Sequence, residues 1–256
     1  MSSSNHSQQP YPHAPITEAV IDLRVELSPE VSASDLARVQ KGEEHSYPTV
    51  KPINEFRGQI SFPEASAGAS AVPGTSASTT PIGFLFRSTD GRQIQQARTN
   101  GFTMSRLAPY LHWDGFRTET RRLWDIYRSV AKPSRVTRVA VRYINRIDIP
   151  LPLSDLEDYL RTVPTVSSDL PQGLSRYFMQ LVMPLEEIKG MVIINETIIE
   201  PAKPEVVSIV LDIDVSRSND LPSTEEGIWA MMEQLRNAKN NVFEACITDK
   251  ARELFQ

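Results

Sequence analysis

The segment RVAVRYINRIDIP, residues 138–150, spaces three guanidinium groups, those of Arg138, Arg142 and Arg146, four residues apart. In an extended chain that spacing puts all three on one face, because side chains alternate sides along a strand. A row of planar, permanently charged forks can do two things. It can grip phosphate or an acidic partner, or it can be neutralised by carboxylates of a neighbouring strand and help set sheet register. Carboxylates with the same spacing exist: Glu18, Asp22 and Glu26 in EAVIDLRVEL. Asp212 and Asp214 share one face of EVVSIVLDIDV, and paired carboxylates can serve acid–base or metal chemistry. The candidate ligand- or partner-binding residues are therefore Arg138, Arg142, Arg146, Glu18, Asp22, Asp212 and Asp214, with no catalytic assignment.

Other chemistries find little support. His6, His13, His45 and His112 are scattered and lack zinc-site spacing, so no metal is expected. No glycine-rich phosphate loop is present, and no cofactor is expected. The single cysteine, Cys246, excludes an intrachain disulfide and suits a reducing, cytoplasmic setting. It falls in the apolar stripe of a helix, as an inert core thiol would. Asn145 sits on the apolar face of the arginine strand, where a buried amide must find partners or cost on the order of 1–3 kcal/mol.

Net charge is −5. That argues against sequence-independent nucleic-acid binding by the whole surface. The charge is unevenly spread: residues 117–146 are net +7, while residues 1–116 are net −2 and residues 147–256 net −10. No apolar run approaches the ~18 residues of a membrane span. The opening MSSSNHSQQPYPHAP has neither a basic start nor an apolar stretch, which predicts a disordered tail over 1–14 and no secretory signal.

The elements that must hold these residues follow from periodicity. EAVIDLRVEL (18–27) alternates as a half-buried strand. SASDLARVQKG predicts a short helix capped by Ser32 or Ser34 and stopped by Gly42. INEFRGQISF (53–62) predicts a strand, and residues 63–81, small and rich in Pro, Gly, Ser and Thr, a flexible hairpin insertion. IGFLFRSTDGRQIQQA is a hairpin around Asp90-Gly91, and Asn100-Gly101 is a second turn. A helix capped by Asp114 is expected over 114–130, then the arginine strand over 134–149, then a helix in SDLEDYLR. Strands over 175–183, 189–199 and 205–215 precede a last helix over 224–247. A box of Ser223 and Glu226 opens that helix, and its stripe is Ile228, Met232, Leu235, Val242 and Cys246.

The fold class is α+β: antiparallel sheet with helices packed on one face and the charged residues on the other. The two halves, 15–131 and 132–256, share an order of strand, short helix, meander and long helix. An internal duplication would produce two such pseudo-repeats, and so would the common strand–helix–meander arrangement.

PITEAVIDLRV, FRSTDGRQIQQARTNGFTMSRLAPYLHWDGF, RVAVRYINRIDIP and the closing NVFEACITDKARELF resemble the signatures of a sporadically distributed, uncharacterised bacterial protein family of similar length. The resemblance spans nearly the whole chain outside the tail and residues 63–81. It brings no catalytic residues or substrate. The patchy distribution it implies is that of horizontally moved genes, including toxin–antitoxin and phage-defence genes. Sequence and resemblance together lead to a non-enzymatic cytoplasmic binding protein whose partner is a protein or an anionic ligand. The alternative is an enzyme acting on a phosphate-containing substrate, nucleotide or nucleic acid, with the arginines as clamps.

Overall fold

EAVIDLRVEL and RVAVRYINRIDIP form two neighbouring strands at the centre of one open antiparallel sheet. The computed structural model describes residues 11–61 and 74–256. The first half comprises β1 (Ile16–Glu26), a 3-10 helix (Ala33–Gln40), β2 (Thr49–Ser61), β3 (Gly74–Arg87), β4 (Gln93–Arg98), β5 (Gly101–Leu107) and α1 (Trp113–Ala131). The second comprises β6 (Arg135–Pro150), β7 (Phe178–Leu185), β8 (Gly190–Ile199), β9 (Val206–Arg217), α2 (Glu225–Cys246) and α3 (Asp249–Glu253). Strand order is β2-β3-β4-β5-β1-β6-β9-β8-β7, antiparallel throughout. In each half the first strand is central. The chain then travels to an edge and returns as a meander beside that first strand, before entering its long helix.

The alternation decides which face is covered. Ala19, Ile21, Leu23 and Val25 of β1 and Val139, Val141, Ile147 and Ile149 of β6 join one core with Leu123, Tyr127, Met232 and Leu235 of the helices. Fully burying each large side chain contributes roughly 1.5–3 kcal/mol. Trp124 and Tyr127 of α1 lie 5.8 and 5.6 Å from the Phe102 ring of β5, and the Tyr127 hydroxyl donates to the Arg98 carbonyl at 2.9 Å. α2 packs on β6 and β9. The opposite sheet face, with its charged side chains, is left open by these helices.

Local chemistry overrode several sequence expectations. Trp113 opens α1, and its cap is His112, whose ring accepts from the Gly115 N–H at 3.0 Å, in place of Asp114. A Cβ on Gly115 would come within 2.6 Å of that ring, so the glycine permits the cap. Thr224, and not Ser223, caps α2. The expected helix in SDLEDYLR is only a 3-10 turn, Leu156–Asp158. Leu160 forms a β-bridge with Ile247, Thr248 N–H donates to the Tyr159 carbonyl at 3.0 Å, and Arg161 N–H donates to the Cys246 carbonyl at 2.8 Å. Those bonds draw the chain out straight where a second turn would begin. Within the expected insertion 63–81, residues 74–81 belong to β3; the remainder, 63–73, and the tail up to residue 10 lie outside the described residues.

Candidate functional site

β6 runs through the middle of the open face with β1 on one side and β9 on the other. The register sets Asp22 of β1 opposite Ala140, between Arg138 and Arg142, and sets Asp214 and Asp212 of β9 opposite Arg142 and Ile144. All seven sequence-derived candidates lie on this face, since paired residues of antiparallel strands point the same way.

Their partners are distributed over both neighbours. Arg138 donates to Asp22 at 3.2 Å and to both oxygens of Asp214 at 2.9 and 3.0 Å. Arg142 makes a two-pronged contact with Asp212 at 2.7 and 2.6 Å. Arg146 turns to its own strand, donating to Asp148 at 2.9 Å and to Ser208 at 3.1 Å. The matched spacing of the acidic row suggested one-to-one pairing with β1. The structure instead gives Arg142 to β9, because Val20, not an acid, lies opposite it on β1. Glu26 pairs with Arg135 at 2.6 Å, and Glu18 acts on Arg142 through space.

Residues that the sequence did not single out extend these pairs into a belt. Asp22 also accepts from Arg24 at 2.9 Å, from Arg98 at 3.0 Å and from the Thr103 hydroxyl at 2.6 Å. Arg98 reaches on to Gln96 at 2.8 Å. On the other side Asn195 of β8 donates to Asp212 at 3.0 Å, and Gln180 of β7 donates to Asn195 at 2.7 Å. The polar belt thus crosses from β4 to β7. Gly101 keeps its first part tight: a Cβ there would stand 2.5 Å from the Leu23 carbonyl oxygen, beside Arg24.

The electrostatics follow from burial and neighbours. Burial pushes the Asp22 carboxyl up, but the Thr103 hydroxyl and Arg24, Arg98 and Arg138 outweigh it and hold Asp22 below the usual carboxylate range. Burial raises Asp214, a shift that Arg138 and Arg142 only partly offset. The hydrogen bonds that Arg142 donates to Asp212 hold it above its ordinary value. Arg98 is lowered, first by burial and then by repulsion from Arg24; its Nε is buried without a hydrogen-bond partner among the described residues.

The net +7 block is not one surface. Its β6 arginines lie on the open face, while Arg117, Arg121 and Arg122 of α1 lie on the helix layer. There they line a shallow depression of about 410 Å³ together with Thr118, Asp125 and Trp229. These cations are paired as well: Arg117 with Glu233 at 2.7 Å, Arg121 with Glu226 at 3.8 Å, and Arg122 with Glu43 and Glu119.

On the covered side of β6, Asn145 is 3% exposed and donates to the Leu211 carbonyl at 2.9 Å, a satisfied core amide. Lys239 of α2 was missed by sequence reasoning. It is 5% exposed, and its ammonium lies 3.6 Å from the centroid of the Tyr143 ring. The signal was available: Ile228, Met232, Leu235, Val242 and Cys246 leave one helical step unfilled, and position 239 fills it. Glu196, fully buried on β8, accepts from Tyr177 at 2.6 Å and Thr162 at 3.0 Å; burial raises it. Burial also pushes the Cys246 thiol up to about 11, which leaves it protonated and inert at neutral pH.

Among the described residues no group of three or more His, Cys, Asp or Glu could hold a metal ion. No helix among them is long and apolar enough to cross a membrane. No family model matches the chain, and no curated protein matches it.

Proposed function

We propose that this protein is a non-enzymatic binding module that engages a protein partner through the open sheet face. One observation carries the reading: each arginine of the β6 row already has a carboxylate within 3.2 Å. Such a surface offers a fixed pattern of both charge signs, which selects a complementary protein surface by register and by repulsion of wrong partners. A phosphate would have to displace those carboxylates, and Asp212 and Asp214 are engaged in holding guanidinium groups. The phosphate-acting enzyme is therefore the weaker reading. The setting implied by the family resemblance, a toxin–antitoxin or phage-defence locus in a bacterial cytoplasm, would supply the partner as the product of an adjacent gene.

The test is co-expression with the adjacent gene product, followed by size-exclusion chromatography of the pair. Arg24→Gln with Arg142→Gln alters the open face, and Arg121→Gln alters the helix layer as a control. Loss of the complex with the first variant alone supports the proposal. Loss with Arg121→Gln alone, or no complex together with binding of nucleotide or pyrophosphate by the isolated protein, overturns it.

A further inference from the structure

The sheet has two edges, and they are defended differently. β2 presents Lys51, Pro52 and Glu55, all exposed, beside an exposed Phe56; charge and proline on an edge discourage a further strand from adding. β7, FMQLVMPL, has no charged residue. It ends the strand order, and among the described residues none of its backbone groups is bonded beyond β8. Phe178 is 69% and Val182 54% exposed on the open-face side, and Met183 is 38% exposed on the other. Pro184, near the end of the strand, is its one guarding residue. Unpaired backbone flanked by exposed apolar side chains is what proteins avoid unless something covers it.

The charges at the ends of β7 indicate what covers it. Arg176 stands just before the strand and Glu186 just after it. Both are exposed, and neither has an ion-pair partner among the described residues. A second copy related by a two-fold axis normal to the sheet would run its β7 antiparallel to the first. Paired residues must then share a face, so even numbers oppose even numbers and odd oppose odd. With Leu181 on the axis, Met179 opposes Met183, Phe178 opposes Pro184 and Gln180 opposes Val182. Arg176, two residues before the strand, and Glu186, first residue of the 3-10 turn Glu186–Ile188 that follows it, then mark opposite ends of β7, so the Arg176 end of each copy runs beside the Glu186 end of the other. Apolar matching along the strand and opposite charges at its two ends therefore favour the same partner, and the strand is complementary to itself.

We infer that the protein forms a two-fold homodimer through antiparallel pairing of β7, which joins the two sheets into one. This goes beyond the binding role proposed above and uses a different part of the molecule. It is tested on the purified full-length chain alone, so its failure leaves that reading untouched. Light scattering coupled to size-exclusion chromatography should give twice the chain mass at micromolar concentration. Arg176→Glu and Glu186→Arg, each placing like charges at both ends of the interface, should each raise the dimer Kd roughly tenfold or more. The combined charge swap should restore it. Val182→Asp should abolish the dimer while the circular dichroism spectrum and melting temperature of the monomer stay near wild type, because the side chain is exposed. A wild-type monomer at all concentrations would overturn the proposal, as would a dimer indifferent to these variants or a swap that fails to restore association.

Discussion

On the open side of β6, Arg138 and Arg142 are held by three carboxylates from two neighbouring strands. On the helix side of the same strand, Lys239 lies over the Tyr143 ring with no hydrogen bond or ion pair among the described residues. The first arrangement gives each cation at least one carboxylate within hydrogen-bond reach, two for Arg138. The second leaves one ammonium in a poorly solvated place, with the ring quadrupole as its main compensation. Burial, and then repulsion from Arg236, lowers Lys239 from 10.5 to about 7, against a weaker opposing pull from Glu244. The contrast teaches that charge count says little about electrostatic stability in this sheet; pairing decides it.

Asp22 offers the strongest way to break the comparison. Asp22→Ala removes the buried carboxylate shared by Arg24, Arg98 and Arg138 and leaves these half-buried cations facing one another. A loss of about 3 kcal/mol in urea unfolding is expected, the range for breaking a buried pair from one side. The variant should also gain affinity for pyrophosphate by calorimetry, which the wild type should lack. Because the folded carboxyl of Asp22 titrates below its ordinary 3.8, its contribution is present above that pH and is lost as acid takes the pH below it. An unchanged urea midpoint would show that the belt is held without Asp22.

Lys239 should show the opposite behaviour. Its folded value of about 7 lies below the ordinary 10.5. Between those limits the unfolded chain carries a proton that the folded chain lacks, so stability rises with pH, by at most ~1.4 kcal/mol per unit. Urea unfolding at pH 7 and pH 9 should show this rise. Lys239→Met should flatten it and stabilise the protein at pH 7 by on the order of 2 kcal/mol. A wild type with equal stability at the two pH values would mean that the amine is solvated. At the small end, Arg142→Ala should cost only about 1 kcal/mol, since its side chain is 43% exposed and the buried Asp212 keeps the hydrogen bond from Asn195. A loss as large as that of Asp22→Ala would place Arg142 in the buried part of the belt.

Much of this architecture is legible in the chain because strand alternation is local. The apolar and charged faces of β1 and β6 follow from residue order, and the requirement that both apolar faces meet the helices predicts that the charged faces coincide. The pairing partners are not legible in the same way. Arg142 takes Asp212 because β9 lies on the far flank of β6, a partner 70 residues away in sequence. The short turn at Leu156–Asp158 hides for a related reason. Its sequence satisfies a helix start, and a bridge to Ile247, near the other end of the second half, ends it. Lys239 could have been found by asking which residue completes the helical stripe.

The exposed Lys51, Pro52 and Glu55 of β2 also bear on how large an assembly can become. A sheet with two adhesive edges would join head to tail, and an unclosed head-to-tail contact propagates into a fibre. With charge and proline guarding β2, the uncharged β7 edge of the described sheet is consumed in the proposed symmetric, closed pair. Growth ends at two molecules, and the protein can keep an uncharged strand at its boundary without polymerising.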